Sequence, residues 1–561
     1  MFILLWLLWA AIVVSCCLYL FSSYSALVSW YLGLNNCFYH SLSWGSDFFT
    51  PGIKSDGNMY CIIAIAIASA GLFFIIKGRK SKPGAYPVLK TKITRHDLLL
   101  VPALVIIACL LWYKGNSATL TAHDEIFSAF YFAGAHPFQA ISYYILPNNH
   151  LFFNLLNAVL FHSSADKVIT GRYISLFAYC GFIIAVFYWF KGIVKNNWLV
   201  LLISITLALQ CPVWGFSFQA RGYELYLLAG WGMVGSLFAY LRAAHPRWLL
   251  INVVCCSLGY FSMPSFLYLH AAQLLFVLLY MLFYKTKEAS FWIYQFAAAG
   301  ITYLLYLPAL CFSGLTALTA NSYVAPMSGF KQKSTWDFIQ WMWATFQSYI
   351  EHIFSNIHFG SVSFDLVLYF VPLLLLFRRK NKSSILFGTF YLVMWLVFFL
   401  LAIIMKRLPF ERNLIIHYSL TLAGVILMLE WIIVSIAQKT KLRLPLTILF
   451  AAIVTCLSFH FFLTNDTFIK TTLYEHDINQ AYNELSEGLD YIPPGSTVAF
   501  SDEGFFYRYI CMKHGCIISN CPLGNETYYV KENYEQLPTA FTGKYKLAKQ
   551  LGDHAIYKKA D

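Results

Sequence analysis

The chain has 561 residues, of which 59% are hydrophobic and only 12% charged, with a mean hydropathy of +0.62. No single soluble core hides that much apolar surface, which excludes an ordinary globular enzyme and leaves a polytopic membrane protein. The formal net charge of +13 is spread over alternate loops, a pattern that speaks of membrane topology and against nucleic acid as a partner.

Apolar runs near 6–33, 59–76, 97–113, 172–190, 198–217, 223–241, 248–263, 265–284, 293–312, 362–377, 384–404, 414–435 and 445–463 are long enough to cross roughly 30 Å of hydrocarbon. They predict an all-α polytopic membrane protein of about thirteen transmembrane helices. The first run lacks a basic flank and a clear small-residue cleavage site, so it reads as a retained span. Basic clusters at 77–95, 377–382 and 438–443 mark cytoplasmic loops under the positive-inside rule, and the intervening loops become external.

This divides the chain into residues 1–96, with two extra N-terminal spans and a basic cytoplasmic loop, and a transmembrane core over 97–463. External loops at 114–171 and 313–361 interrupt that core, and both are too long to be simple turns. Beyond 463 acids outnumber bases and the hydrophobic runs shorten, as in YEHDINQAYNELSEGLDYIPPGSTVAF, which predicts amphipathic helix, Pro-Gly turn and short strand. Residues 464–561 are therefore expected to form a small external α/β domain. Its Cys511, Cys516 and Cys521 allow one disulfide and one spare thiol, with the pairing open.

The informative polar residues fall on the external side. Asp124 and Glu125 open the stretch HDEIFSAFYFAGA, whose apolar residues suit a helix on the membrane surface. A second such helix is expected at PNNHLFFNLLNAVLF, where Asn148 and Asn149 stand at its start, as caps or as polar groups of a site, with His150 beside them. Arg172, Arg221 and the crowded loop of Lys406, Arg407, Glu411 and Arg412 put cations where the positive-inside rule depletes them. One such cation would be explained by snorkelling to lipid head groups, but several facing two acids resemble a phosphate clamp opposite a general base. A sugar carried on a lipid phosphate fits that set: arginines hold the anionic leaving group while a carboxylate takes the proton from an acceptor hydroxyl. The sequence has no Walker A loop or dinucleotide fingerprint.

The ordered stretches PNNHLFFNLL, GRYISLFAYCGF and QARGYELYLLAGW, preceded by the Asp-Glu pair, resemble the GT-C superfamily of integral-membrane glycosyltransferases. The likeness is to its branch related to protein O-mannosyltransferases and to the aminoarabinose transferase acting on lipid A. The matching residues are Asp124 with Glu125, Arg172 to Ser175, and Ala220 to Tyr223; ERNLII resembles the family's late arginine before a span. The resemblance spans roughly positions 97 to 440 and departs from the family where Asn148, Asn149, His150 and Leu151 replace a His-Pro-Pro-Leu stretch. It implies a polyprenyl-phosphate-linked sugar donor and an inverting transfer to a lipid, protein or polysaccharide acceptor. It also implies Asp124 as base and Arg412 near the donor phosphate; taken with the outer cations and polar cluster read above, the expected site is Asp124 with Glu125 beside it, and Arg172, Arg221, Tyr223, Lys406, Arg407, Arg412, Asn149 and His150 around the donor. The expected location is the bacterial inner membrane, with the site and the C-terminal domain outside. The segment 313–361 resembles in position a loop closing over substrates, and otherwise reads as a surface amphipathic helix. A divalent cation is open, with His352 and His358 as weak ligands. A transporter or flippase of a polyprenyl-linked sugar or another anionic lipid is the alternative.

Overall fold

The N-terminal apolar run does not form one rod. The computed structural model describes residues 2–34, 48–78, 97–118, 123–144, 149–319 (except 162, 165 and 195), 334–351, 358–359, 362–363, 368–377, 382–439, 443–468, 488–501, 505–519 and 524–560 (except 534, 540 and 553). In it Phe2–Phe21 and Tyr24–Leu34 are separate helices. Ser23 Oγ accepts the Ala26 N–H at 3.2 Å, so a serine caps the second helix and ends the first.

Nine helices among the described residues are long and apolar enough to cross a membrane, or ten if one bent pair counts as a single span. They coincide with nine of the expected runs, and the chain is an integral membrane protein. Four runs deviate. The first is broken at the serines, and 198–217 bends by 73° between Asn197–Ala208 and Cys211–Ser217, where Pro212 opens the second piece. Run 248–263 becomes Pro246–Ser262, of 17 residues, and among the described residues of 362–377 the helical stretch is Leu368–Phe377.

The largest apolar cluster joins helices Lys167–Lys191, Tyr223–Ala243, Phe266–Tyr284, Lys382–Met405 and Ile415–Lys439 through residues such as Trp214, Trp231, Phe276, Phe390 and Tyr418. A second ties the N-terminal helices and Ala289–Thr319 to segment 123–144 through Tyr31, Phe49, Tyr131, Phe132 and Phe312. Tyr31 is stacked on Phe312 at 5.0 Å, and Phe49 on the same ring at 4.5 Å. The N-terminal helices thus brace segment 123–144 as well as helix Ala289–Thr319.

The described part of loop 114–171, expected to be external, is built largely from short helices: His123–Ser128 running into a π-helical turn at Ala129–Ala133, then Pro137–Ser142 and Leu151–Leu160. The first is more deeply buried than a surface helix, since Glu125, Ile126, Phe127 and Ser128 are all covered. In the second long loop, helix Thr335–Glu351 buries Phe338, Met342 and Phe346 against helix Lys382–Met405 and exposes Trp336, as the amphipathic pattern predicts. Residues 320–333 of the expected closing loop, the expected helix around 474–487, and Asn148, His352 and Cys521 lie outside the described residues.

The C-terminal domain carries a five-stranded sheet. Counting the hairpin β1 (His358–Phe359) and β2 (Val362–Ser363), its strands are β3 (Thr497–Phe500), β4 (Ile517–Ser519), β5 (Tyr528–Glu532), β6 (Tyr545–Leu551) and β7 (His554–Lys559). They lie in the order β4-β3-β5-β7-β6, with β3 parallel to both neighbours and the β5-β7 and β7-β6 pairs antiparallel. The Pro-Gly turn stands where the sequence puts it, with Gly495 at φ +82°, a conformation costly for any residue with a Cβ. Cys511 and Cys516 are both buried thiols, and the Cys516 N–H meets the Cys511 carbonyl at 2.9 Å.

Candidate active site

Helix His123–Ser128 presents two adjacent acids in different directions. Successive residues on a helix point about 100° apart, so when one carboxylate enters the core its neighbour faces elsewhere. Glu125 is the inward one, with 0% exposure. Arg172 grips it with two parallel bonds, Nε to Oε1 and Nη2 to Oε2, both 2.9 Å, and the Ala220 N–H adds a third to Oε1 at 2.6 Å. Arg172, itself buried, also donates from Nη1 to Asn116 Oδ1 at 2.8 Å.

Asp124 is the outward one, with its side chain 37% exposed. Its Oδ2 lies 2.9 Å from Arg412 Nη1 and 3.5 Å from Arg221 Nη2. Arg221 is sunk into the protein and also donates from Nη1 to the Asp124 carbonyl at 3.1 Å and to Ser128 Oγ at 3.0 Å. Tyr223 forms the floor under both arginines, with its ring centre 5.7 Å from the Arg221 guanidinium and 5.9 Å from that of Arg412. Phe216 packs against the same tyrosine at 4.3 Å.

His150 completes the wall. The Gly222 N–H donates to its Nδ1 at 3.0 Å, and its Nε2 lies 3.1 Å from Arg221 Nη2. Burial, with Arg221 and Arg412 close by, holds the imidazole well below the ordinary histidine range, so the ring is neutral. With Nδ1 accepting, its proton sits on Nε2 and faces the arginine N–H, so two donors converge on one point. An anionic oxygen lying beside both nitrogens would accept from both.

The structure therefore brings Asp124, Arg221, Arg412, Tyr223 and His150 together and assigns the other expected residues elsewhere. Glu125 and Arg172 neutralise each other within the protein, apart from the groups around the Asp124 carboxylate. Asn149 is a loop brace: its amide donates to the carbonyls of Ala140 and Tyr143 and accepts from Asn154 at 2.9 Å. It does not cap the following helix, whose N-cap is His150. Arg407 donates to the Thr319 carbonyl at 2.7 Å, and Lys406, at φ +47°, turns the chain out of helix Lys382–Met405. Among the described residues no three of His, Cys, Asp and Glu converge as a metal site.

Sequence reasoning overlooked Ser128, Asn116 and Gly222. Ser128 was within reach, because it stands four residues after Asp124 and so lies on the same helical face. Gly222 fits because a Cβ there would come within 2.7 Å of His150 Nδ1. Glu224, buried in the first turn of helix Tyr223–Ala243, was also overlooked; its carboxylate oxygens have no hydrogen-bond partner among the described residues.

No protein-family model matches the chain, and no curated protein matches it in sequence. Among solved structures it is similar to ArnT from Cupriavidus metallidurans bound to undecaprenyl phosphate, with a TM-score of 0.43 and 10% identity over 82% of this chain and 97% of that one. The apo state of the same protein gives a TM-score of 0.43 at 12% identity, over 82% and 98% of the two chains.

Proposed function

We propose that the protein is a membrane glycosyltransferase that moves a sugar from a polyprenyl-phosphate carrier to an acceptor hydroxyl at the external face, with inversion. One observation carries the reading: Asp124 Oδ2 stands between the guanidinium groups of Arg412 and Arg221, 2.9 and 3.5 Å away, on elements far apart in the chain. A carboxylate and two arginines in a half-open recess supply the two functions that such a transfer needs, a proton acceptor and a clamp for a leaving phosphate.

In this mechanism the donor phosphate takes over Arg412 and Arg221 as counter-ions, and an oxygen of it settles beside Arg221 and His150, accepting from both. Asp124, released from its ion pairs, accepts the proton of the acceptor hydroxyl. That oxygen attacks the anomeric carbon from the face opposite the phosphate. The bond from the anomeric carbon to the phosphate oxygen breaks, its electron pair leaves with the polyprenyl phosphate, and the arginines neutralise the charge. Tyr223 keeps both guanidinium groups flat and aimed. Glu125 and Arg172 act as a buried brace that fixes helix His123–Ser128 to helix Lys167–Lys191, so Glu125 supports the base and does not share its chemistry. Asn149 supports the loop before His150.

Asp124→Asn tests the reading, because it keeps the shape and removes the base. Transfer from a polyprenyl-phosphate-linked sugar should fall by about 10²–10⁴-fold, while polyprenyl phosphate still binds. Transfer that survives the substitution refutes the assignment. The bent pair Asn197–Ala208 and Cys211–Ser217 favours a second reading, a carrier that moves such a lipid across the membrane, since broken helices mark transporter sites. A carrier would translocate the lipid-linked sugar in vesicles with its glycosidic bond intact, and the enzyme would cleave it.

A further inference from the structure

The external C-terminal domain meets the membrane-embedded part at the segment that carries Asp124. Its helix Phe505–Lys513 packs on helix His123–Ser128. Tyr509, 4% exposed, and Met512 join the aromatic cluster that holds Ile126, Phe127, Tyr131 and Phe132. Arg508, also 4% exposed, lies with its guanidinium 5.8 Å from the Phe130 ring centre, 5.9 Å from that of Tyr131 and 5.7 Å from that of Phe500 in strand β3. Lys513 Nζ pairs with Asp166 Oδ2 at 2.5 Å, and Asp166 is the N-cap of helix Lys167–Lys191, which bears Arg172.

One short helix thus touches both elements joined by the Glu125–Arg172 pair. It does so at an irregular place, because Phe130 and Tyr131 belong to the π-helical turn Ala129–Ala133, a geometry held only where its surroundings favour it. We infer that helix Phe505–Lys513 is a positioning clamp: Arg508 and Tyr509 hold the π-helical turn so that the preceding residues set Asp124 at its distance from Arg412 and Arg221. Both are positioning residues; neither is among the groups around the Asp124 carboxylate. The cation over two rings of the turn and one of β3 couples the sheet domain to the turn, so the domain contributes to the transfer without supplying a reacting group.

The inference rests on the proposed transfer, and its test has one arm that does not. In Arg508→Ala and Tyr509→Ala of the full chain, amide exchange over 123–133 should rise. The kcat for sugar transfer should fall about tenfold or more, as expected when a base is displaced by a fraction of an ångström. Affinity for polyprenyl phosphate should change less than about twofold, because Arg412 and Arg221 keep their charge. Lys546→Ala, on the exposed face of β6, should alter none of the three. Should Arg508→Ala fail to fold, Arg508→Lys keeps the charge but loses the flat guanidinium, and the same comparison applies with a smaller change. Unchanged exchange over 123–133, or raised exchange with unchanged kcat, overturns the clamp. Transfer that survives Asp124→Asn overturns the transfer reading instead and leaves the exchange result standing by itself.

Discussion

Arg172→Ala distinguishes a structural brace from a substrate cation. The substitution leaves the Glu125 carboxylate, with 0% exposure, without the two 2.9 Å guanidinium bonds that compensate its charge. Removing one partner of a buried ion pair costs about 3–5 kcal/mol, because the other charge stays desolvated. At about 1.4 kcal/mol per tenfold, the unfolding equilibrium shifts by roughly 10²–10⁴-fold. Arg172→Met combined with Glu125→Gln removes both charges but keeps an oxygen for the Ala220 N–H, so it should recover about 2 kcal/mol or more of that loss. Denaturant titration of the detergent-solubilised protein, read for both single variants and the double, measures the coupling directly. If Arg172→Ala unfolds at the wild-type denaturant concentration while its affinity for polyprenyl phosphate falls tenfold or more, Arg172 is a substrate cation and the brace is wrong.

Two of the three cations of the late loop, Arg412 and Arg407, should separate. Arg412→Ala is expected to weaken polyprenyl phosphate binding by about tenfold, the low end for a charge-assisted pair at a half-exposed site, while Arg407→Ala, whose guanidinium goes to the Thr319 carbonyl, leaves it within about twofold; equal losses would mean a diffuse basic surface. His150 should make the fold acid-sensitive. Its folded-state affinity for protons is depressed, so the neutral ring contributes stability in full above its ordinary titration range near pH 6.5, and that contribution is lost as the pH falls below it. His150→Asn, which keeps an acceptor for the Gly222 N–H, should lose less stability between pH 7 and 5 than the wild type, and an identical pH dependence would show that another group is responsible.

The spans were legible because burying apolar side chains in lipid is written in composition, residue by residue, over about 20 positions each. The exceptions were set by single residues that composition averages away: Ser23 capping a new helix inside a greasy run, and Pro212 opening a bent one. The cations of the site were legible for a related reason, since on the topology expected from the basic loops they violate a statistical rule and so call for a cause. Their partners were not. Asp124 and Arg412 are 288 positions apart, and nothing local distinguishes Arg412 from Arg407, five residues earlier, which bonds a carbonyl instead. The pair Asp124-Glu125 shows the same limit at the smallest scale. Both acids have the same charge and share one turn of helix, and a six-residue helix is too short for hydrophobic periodicity to say which faces inward. That was decided by Arg172 and the Ala220 N–H, which meet one carboxylate, while the other stays partly exposed beside Arg412 and Arg221. On the proposed transfer, the division of labour between the two acids is a property of the packed helices: Glu125, held by buried donors, is scaffold, and Asp124, paired with the buried Arg221 and the half-exposed Arg412, is the base.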